Sequence, residues 1–265
     1  GVMDYEYVAL DWLISIGEVK REDLNENQEV FYNVYLGNLD YIKKLDETQL
    51  KIKNSQKQDL LTVAIEYGKS EIVQYLLEHG MGYKEKSTEL SDAIGYAALS
   101  GNLDTLKMIY KQADLSDNDI YTIISYDMQC SNDEYVEGIE YLVSKMSDIN
   151  TYIDDANETI LCLAVYNGLE KTSKMLIEHG AEVNLHIIYN AENTGNLELM
   201  KLLLDNFDIE SINEEERQNL LYKMIEVGDY EIAKYLIDKG VSIGKDSKKY
   251  LEDCPIQKMK SLLKV

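Results

Sequence analysis

Apolar residues in this chain fall in short helical stripes that return on a period near 33 residues. The clearest unit is DLLTVAIEYGKSEIVQYLLEHG, Asp59 to Gly80. Leu60, Leu61, Val63, Ala64 and Ile65 give one short helix an apolar face. Ile72, Val73, Leu76 and Leu77 carry the i, i+1, i+4, i+5 stripe of a second. Gly68 and Gly80 stand where each helix should stop, since the left-handed position after a helix costs least for glycine. Two short helices with one apolar stripe each cannot bury both stripes against each other. Each pair must therefore stack on the next.

Six glycines mark the period, Gly37, Gly68, Gly101, Gly168, Gly195 and Gly228, at intervals of 31, 33, 67, 27 and 33 residues. An apolar residue stands seven before each: Val30, Leu61, Ile94, Leu161, Ile188 and Leu221. The 67-residue interval spans two periods and predicts a helix pair without its glycine. Its first helix is placed at Asp119–Asp127 and its second at Gly138–Lys145, joined by a long inserted turn, Met128–Glu137. The organisation is then an N-terminal capping helix region (residues 1–27), about seven helix pairs (28–240) and a C-terminal capping helix (241–265).

EIVQYLLEHG (Glu71–Gly80) and MLIEHGAEVN (Met175–Asn184) resemble the second half of an ankyrin repeat, and the resemblance extends from about Glu29 to about Gly240. It implies an all-α fold, an ankyrin-repeat helical solenoid with short or trimmed β-hairpin fingers. The family's TPLH tetrapeptide is missing, and its histidine position holds Phe31, Thr62, Gly95, Cys162, Tyr189 and Tyr222. Cohesion between repeats must then lean more on packing. The resemblance also implies that two residues just before each capping glycine face a concave binding groove. The candidate partner-binding residues carried over are Tyr35, Glu66, Tyr67, Leu99, Tyr126, Asp127, Tyr166, Asn167, Asn193 and Glu226. Tyrosine joins large apolar contact with a polar tip and is enriched in interface hot spots.

Composition narrows the function. Forty-nine acidic against 26 basic residues give a formal charge of −23, which opposes direct nucleic-acid binding and favours steering toward a basic partner. No apolar run approaches the roughly 20 residues of a membrane span. Three separated cysteines without CxxC spacing argue against zinc or disulfide frameworks and suit a reducing compartment. Cys162 reads as a core residue, and Cys130, in the inserted turn, as the exposed thiol.

No catalytic constellation emerges. His79 and His179 each precede a helix-terminal glycine, where they can reach the last carbonyls. The repeated Gly-Asn-Leu at Gly37, Gly101 and Gly195 reads as a helix cap. Asp114, Asp117 and Asp119 lack the glycine and glutamate of a calcium loop and read as a solvated helix start. Acidic residues near the turns (Asp154, Asp155, Glu158 and Glu214–Glu216) could surround the groove with negative potential. The expectation is a monomeric, cytoplasmic, non-catalytic scaffold that binds a basic partner protein through its tyrosine-rich concave face, with no cofactor, metal, nucleic acid or membrane. The same acidity fits an alternative: an inhibitor or immunity protein neutralising a toxin or nucleic-acid-acting enzyme, or an effector acting on proteins inside a host cell.

Overall fold

The computed structural model describes residues 6–130, 133–152 and 158–264, the Cys130 side chain excepted. Among these residues the regular structure is helical, without strands. After α1 (Glu6–Ser15), helices come in pairs. The first pairs are α2 (Glu26–Leu36) with α3 (Leu39–Ile42), and α4 (Leu60–Glu66) with α5 (Ser70–Glu78). Next come α6 (Thr88–Leu99) with α7 (Leu103–Tyr110), and α8 (Asp117–Cys130) with α9 (Val136–Val143). They continue as α10 (Ile160–Tyr166) with α11 (Glu170–Glu178), and α12 (Leu185–Glu192) with α13 (Leu197–Asp205). The last pair is α14 (Glu214–Glu226) with α15 (Tyr230–Asp238), followed by α16 (Lys245–Asp253) and α17 (Gln257–Lys260).

The chain divides into two compact units, residues 1–163 and 164–265. In the first, α2, α4, α6 and α8 stack as one row and α3, α5, α7 and α9 as a second. Their apolar stripes meet between the rows, and Val30, Leu61 and Ile94 lie buried there with Ile72, Leu76, Leu106, Ile109 and Leu142. In the second unit, α11, α13 and α15 form a row, and α14 packs on α15 and α16. Ile188, Leu221, Leu203 and Leu236 are buried in that unit. The apolar residue seven before each of the six glycines is thus a core residue.

The punctuation has physical causes. Gly68 sits at φ +62°, its N–H donating to Ile65 O at 3.0 Å while Lys69 N–H reaches back to Ala64 O at 2.7 Å. This left-handed C-terminal closure satisfies the last carbonyls of α4. In the Gly-Asn-Leu copies the asparagine starts the next helix. The side chains of Asn38, Asn102 and Asn196 accept from the N–H groups of Tyr41, Thr105 and Leu199. Asn102 also donates to Gly68 O of the preceding pair at 2.9 Å, and Thr105 Oγ1 donates to Ser70 Oγ at 3.2 Å. These bonds supply part of the cohesion between repeats that the absent TPLH would have given.

The pair without its glycine differs from expectation. Both ends of the inserted turn are helical, because α8 runs on to Cys130 and α9 starts at Val136. The exposed-thiol expectation for Cys130 concerns a side chain outside the described residues. Another glycine matters here: a Cβ on Gly138 would stand 2.6 Å from the Ala98 carbonyl oxygen. Its absence lets α9 approach the backbone of α6.

Candidate functional site

The first helices end on the row of residues expected to face a partner, and the structure sorts them by exposure. Tyr126 is 49% exposed and Tyr166 69%, while Asn193 and Glu226 also face solvent. Tyr35, Tyr67 and Asn167 are half-buried. Glu66, Leu99 and Asp127 are buried, at 3%, 6% and 0% exposure, which corrects the expectation that both members of each doublet face the groove. The reason is helical geometry. Adjacent residues point about 100° apart, so the doublet straddles the edge of the stack and one member turns inward.

Tyr35 and Tyr67 belong to an aromatic cluster closed by the capping helix. Tyr7 of α1 stacks on Phe31 and Tyr35 with ring centroids 6.3 Å apart in both pairs, and meets the Tyr67 ring edge-on at 6.0 Å. Tyr35 and Tyr67 cross edge-to-face at 5.0 Å, and Lys69 Nζ lies 5.6 Å over the Tyr35 ring. Tyr32 donates to Asp11 at 2.6 Å, and its phenol is pushed up to about 12, first by burial and then by that carboxylate. Aromatic pairs of this kind contribute about 0.5–1.5 kcal/mol beyond area burial. Two of the four candidate tyrosines therefore already hold α1 to the first repeats.

The acidic side chains near the turns are also partly engaged. Glu216 accepts from Asn213 N–H and completes a capping box at the start of α14. Glu214 is bonded to Ser242, Gln218 and Arg217, and Arg217 also pairs with Glu210. Asp154 and Asp155 lie outside the described residues. Asp119 and Ser116 cap α8 reciprocally, Asp117 accepts three bonds from Ser147 and one from Asp148, and Asp114 pairs with Lys86 at 3.2 Å. This acidic run fastens a helix start. Each histidine before a glycine reaches back as expected, His79 Nδ1 to Tyr75 O at 2.7 Å and His179 Nδ1 to Met175 O at 2.9 Å. Cys162 is buried.

Beside Tyr126, a cleft of about 430 Å³ opens between α6 and α8. Leu99, Ile123, Tyr96 and Tyr126 are its apolar lining residues, joined by the exposed Asp92 and the buried Gly95 and Asp127. Neither carboxylate oxygen of Asp127 has a hydrogen-bond partner. Oδ1 lies 3.0 Å from the position a Cβ on Gly95 would take, so this carboxyl occupies the room left by the missing side chain. Burial pushes the Asp127 carboxyl well above the ordinary carboxylate range. Asp92 is raised as well, by burial and then by Glu89. Sequence reasoning placed Asp127 on the groove but missed its isolation; the signal was the glycine one repeat earlier at the family's histidine position.

A second feature escaped the sequence reading. Val8, Trp12 and Ile16, spaced by four along α1 and just past it, are 42%, 60% and 50% exposed. Their spacing places them on one side of the helix, away from the buried Tyr7.

Comparison with known proteins adds one decisive match. The family model described as ankyrin repeats (3 copies) matches residues 30–119 and 96–187, more than half of the chain. Among curated proteins, the chain is 24% identical over 200 residues to alpha-latrocrustotoxin-Lt1a of Latrodectus tredecimguttatus, covering 68% of this chain and 14% of that protein. It is 26% identical over 125 residues to alpha-latroinsectotoxin-Lt1a of the same spider, covering 44% of this chain and 9% of that protein. The chain thus spans a small fraction of the length of these relatives. Among solved structures, the human ASB11 ankyrin repeat domain is similar at TM-score 0.49 and 16% identity, covering 69% of this chain and 84% of that one.

Proposed function

From the premise that the chain belongs to the ankyrin repeat family, whose repeats generally mediate protein–protein interaction, we propose a non-catalytic scaffold that binds a partner protein with a basic surface. The observation that carries this reading is the exposure of two large aromatic side chains, Tyr126 and Tyr166, at the ends of first helices. A tyrosine left about half or more in water has contact area still to bury, and its hydroxyl can pair at the rim of an interface. The preference for a basic partner comes from the −23 charge. Acidic surfaces raise the encounter rate with basic ones, and the effect weakens as salt shortens the screening length.

Affinity capture followed by mass spectrometry would identify the partner, and titration of the purified partner tests the surface. Tyr126→Ala with Tyr166→Ala should weaken binding by about tenfold or more, a loss typical of a hot-spot aromatic, with helical circular dichroism unchanged. Association should also slow as salt rises. Undiminished affinity in the double variant would remove the tyrosines from the interface, and a salt-independent rate would remove the electrostatic part. Tyr35 and Tyr67 are poorer probes, since truncating either disturbs the aromatic cluster with Tyr7.

A further inference from the structure

The cleft between α6 and α8 holds a group with an unmet demand. A buried polar atom normally has a partner, and leaving one without is costly whichever protonation state it adopts. As a carboxylate, Asp127 lacks a hydrogen-bond donor; as a neutral acid, its hydroxyl lacks an acceptor. Gly95 and Asp127 both line the cleft, and the carboxyl abuts Gly95 where no side chain intervenes. Asp92 adds a second carboxyl to the lining, whereas the lining Lys86 pairs with Asp114 at 3.2 Å. Leu99, Ile123 and the Tyr96 and Tyr126 side chains offer an apolar sleeve for an alkyl stem, with aromatic faces that attract cations.

We propose that this cleft receives a lysine or arginine side chain of the partner protein, its stem between Tyr96 and Tyr126 and its charged head paired with Asp127 and Asp92. The inference rests on the proposed protein-binding function and specifies one residue type that the partner presents. Charge complementarity selects a basic side chain over a neutral one, and the exposed Tyr126 ring lining the cleft offers contact to the polypeptide that carries it. Entry requires a small adjustment at Asp127, because its carboxylate oxygens are covered in the unbound protein.

The test uses the full chain, labelled with ¹⁵N, titrated with N-acetyl-arginine amide and N-acetyl-lysine amide. N-acetyl-citrulline amide and N-acetyl-norleucine amide are the uncharged counterparts. The cationic amides should shift the backbone resonances of Gly95, Tyr96 and Asp127 saturably, and the neutral ones should bind about tenfold more weakly or less, as expected when a charged hydrogen bond is lost. Asp127→Asn should lose a similar factor while keeping the wild-type spectrum elsewhere. Asp92→Asn, at the exposed lining residue, should lose less and serves if the first variant misfolds. Equal binding of charged and neutral amides, no saturable shift, or undiminished binding in both variants would overturn the assignment. Methylguanidinium binding as tightly as the arginine amide would also overturn it, in favour of a free cation. The probes need no partner, so the two readings fail separately. Amide binding without any protein partner would sink the scaffold reading, whereas loss of partner capture by the tyrosine variants without amide binding would sink only this subsite.

Discussion

Asp127 concentrates at one residue a conflict that most of the chain avoids. Burial raises its folded-state pKa, so its contribution to stability is fully present below the unfolded value, near 3.9, and is lost as pH rises through the folded value. Asp117 behaves in the opposite sense. Its bonds from Ser147 hold its pKa below the usual range, so its contribution is present above the unfolded value and is lost as pH falls through the folded one. Asp127→Asn should therefore remove a loss of stability that grows from about pH 4 upward. The gain over the parent protein would be about 1.4 kcal/mol for each pH unit within the window. Denaturant titrations from about pH 4 to about pH 8 would show this, and parallel profiles for variant and parent would mean that Asp127 meets a partner in solution. The sequence reading ends the helix at Asp127 and turns that residue toward the groove, whereas α8 continues to Cys130 and buries it. The isolation of its carboxyl depends on Gly95, 32 residues away in the chain, and only the stacking of α6 on α8 brings the two together.

At the scale of the helices, much was legible because the repeat states its own rules several times. The residues seven before the glycines are core residues, and Asn38, Asn102 and Asn196 cap the helices that follow them. Where copies disagreed, the reading weakened. The long turn after Asp127 follows from the two-period interval and the spacing of the two apolar segments, and nothing local shows that Met128 to Cys130 continue the helix. The row of doublets failed at Glu66, Leu99 and Asp127, since the orientation of neighbouring residues depends on the angle at which each helix meets the stack. Two substitutions test the contacts between helices. Gly138→Ala forces a methyl toward the Ala98 carbonyl and should cost about 1–3 kcal/mol, as overpacking does, read as a lower denaturation midpoint at constant slope. Asn102→Ala removes a helix cap worth about 1 kcal/mol together with the bond to Gly68 O. It should therefore cost more than Asn38→Ala, whose side-chain amide bonds within its own repeat to Asn33. Equal losses would mean that the bond between repeats adds nothing.

Over the whole molecule, each repeat contacts mainly its neighbours, so stability is distributed along the chain rather than gathered in one centre. The −23 charge acts at this scale too, setting encounter rates rather than fold. Spectroscopy inherits the same distribution. The chain contains 21 tyrosines but a single tryptophan, Trp12, which stands 60% exposed on α1. Indole emission consequently reports on one terminal helix, and its change on unfolding will be small because the ring is already wet. Acrylamide should quench the native protein nearly as effectively as the denatured chain. Strong native-state shielding would instead show that Val8, Trp12 and Ile16 are covered in solution. An unfolding curve followed by tryptophan light alone would then describe the fate of α1 and leave the rest of the repeats unobserved, whereas far-ultraviolet dichroism would register them all.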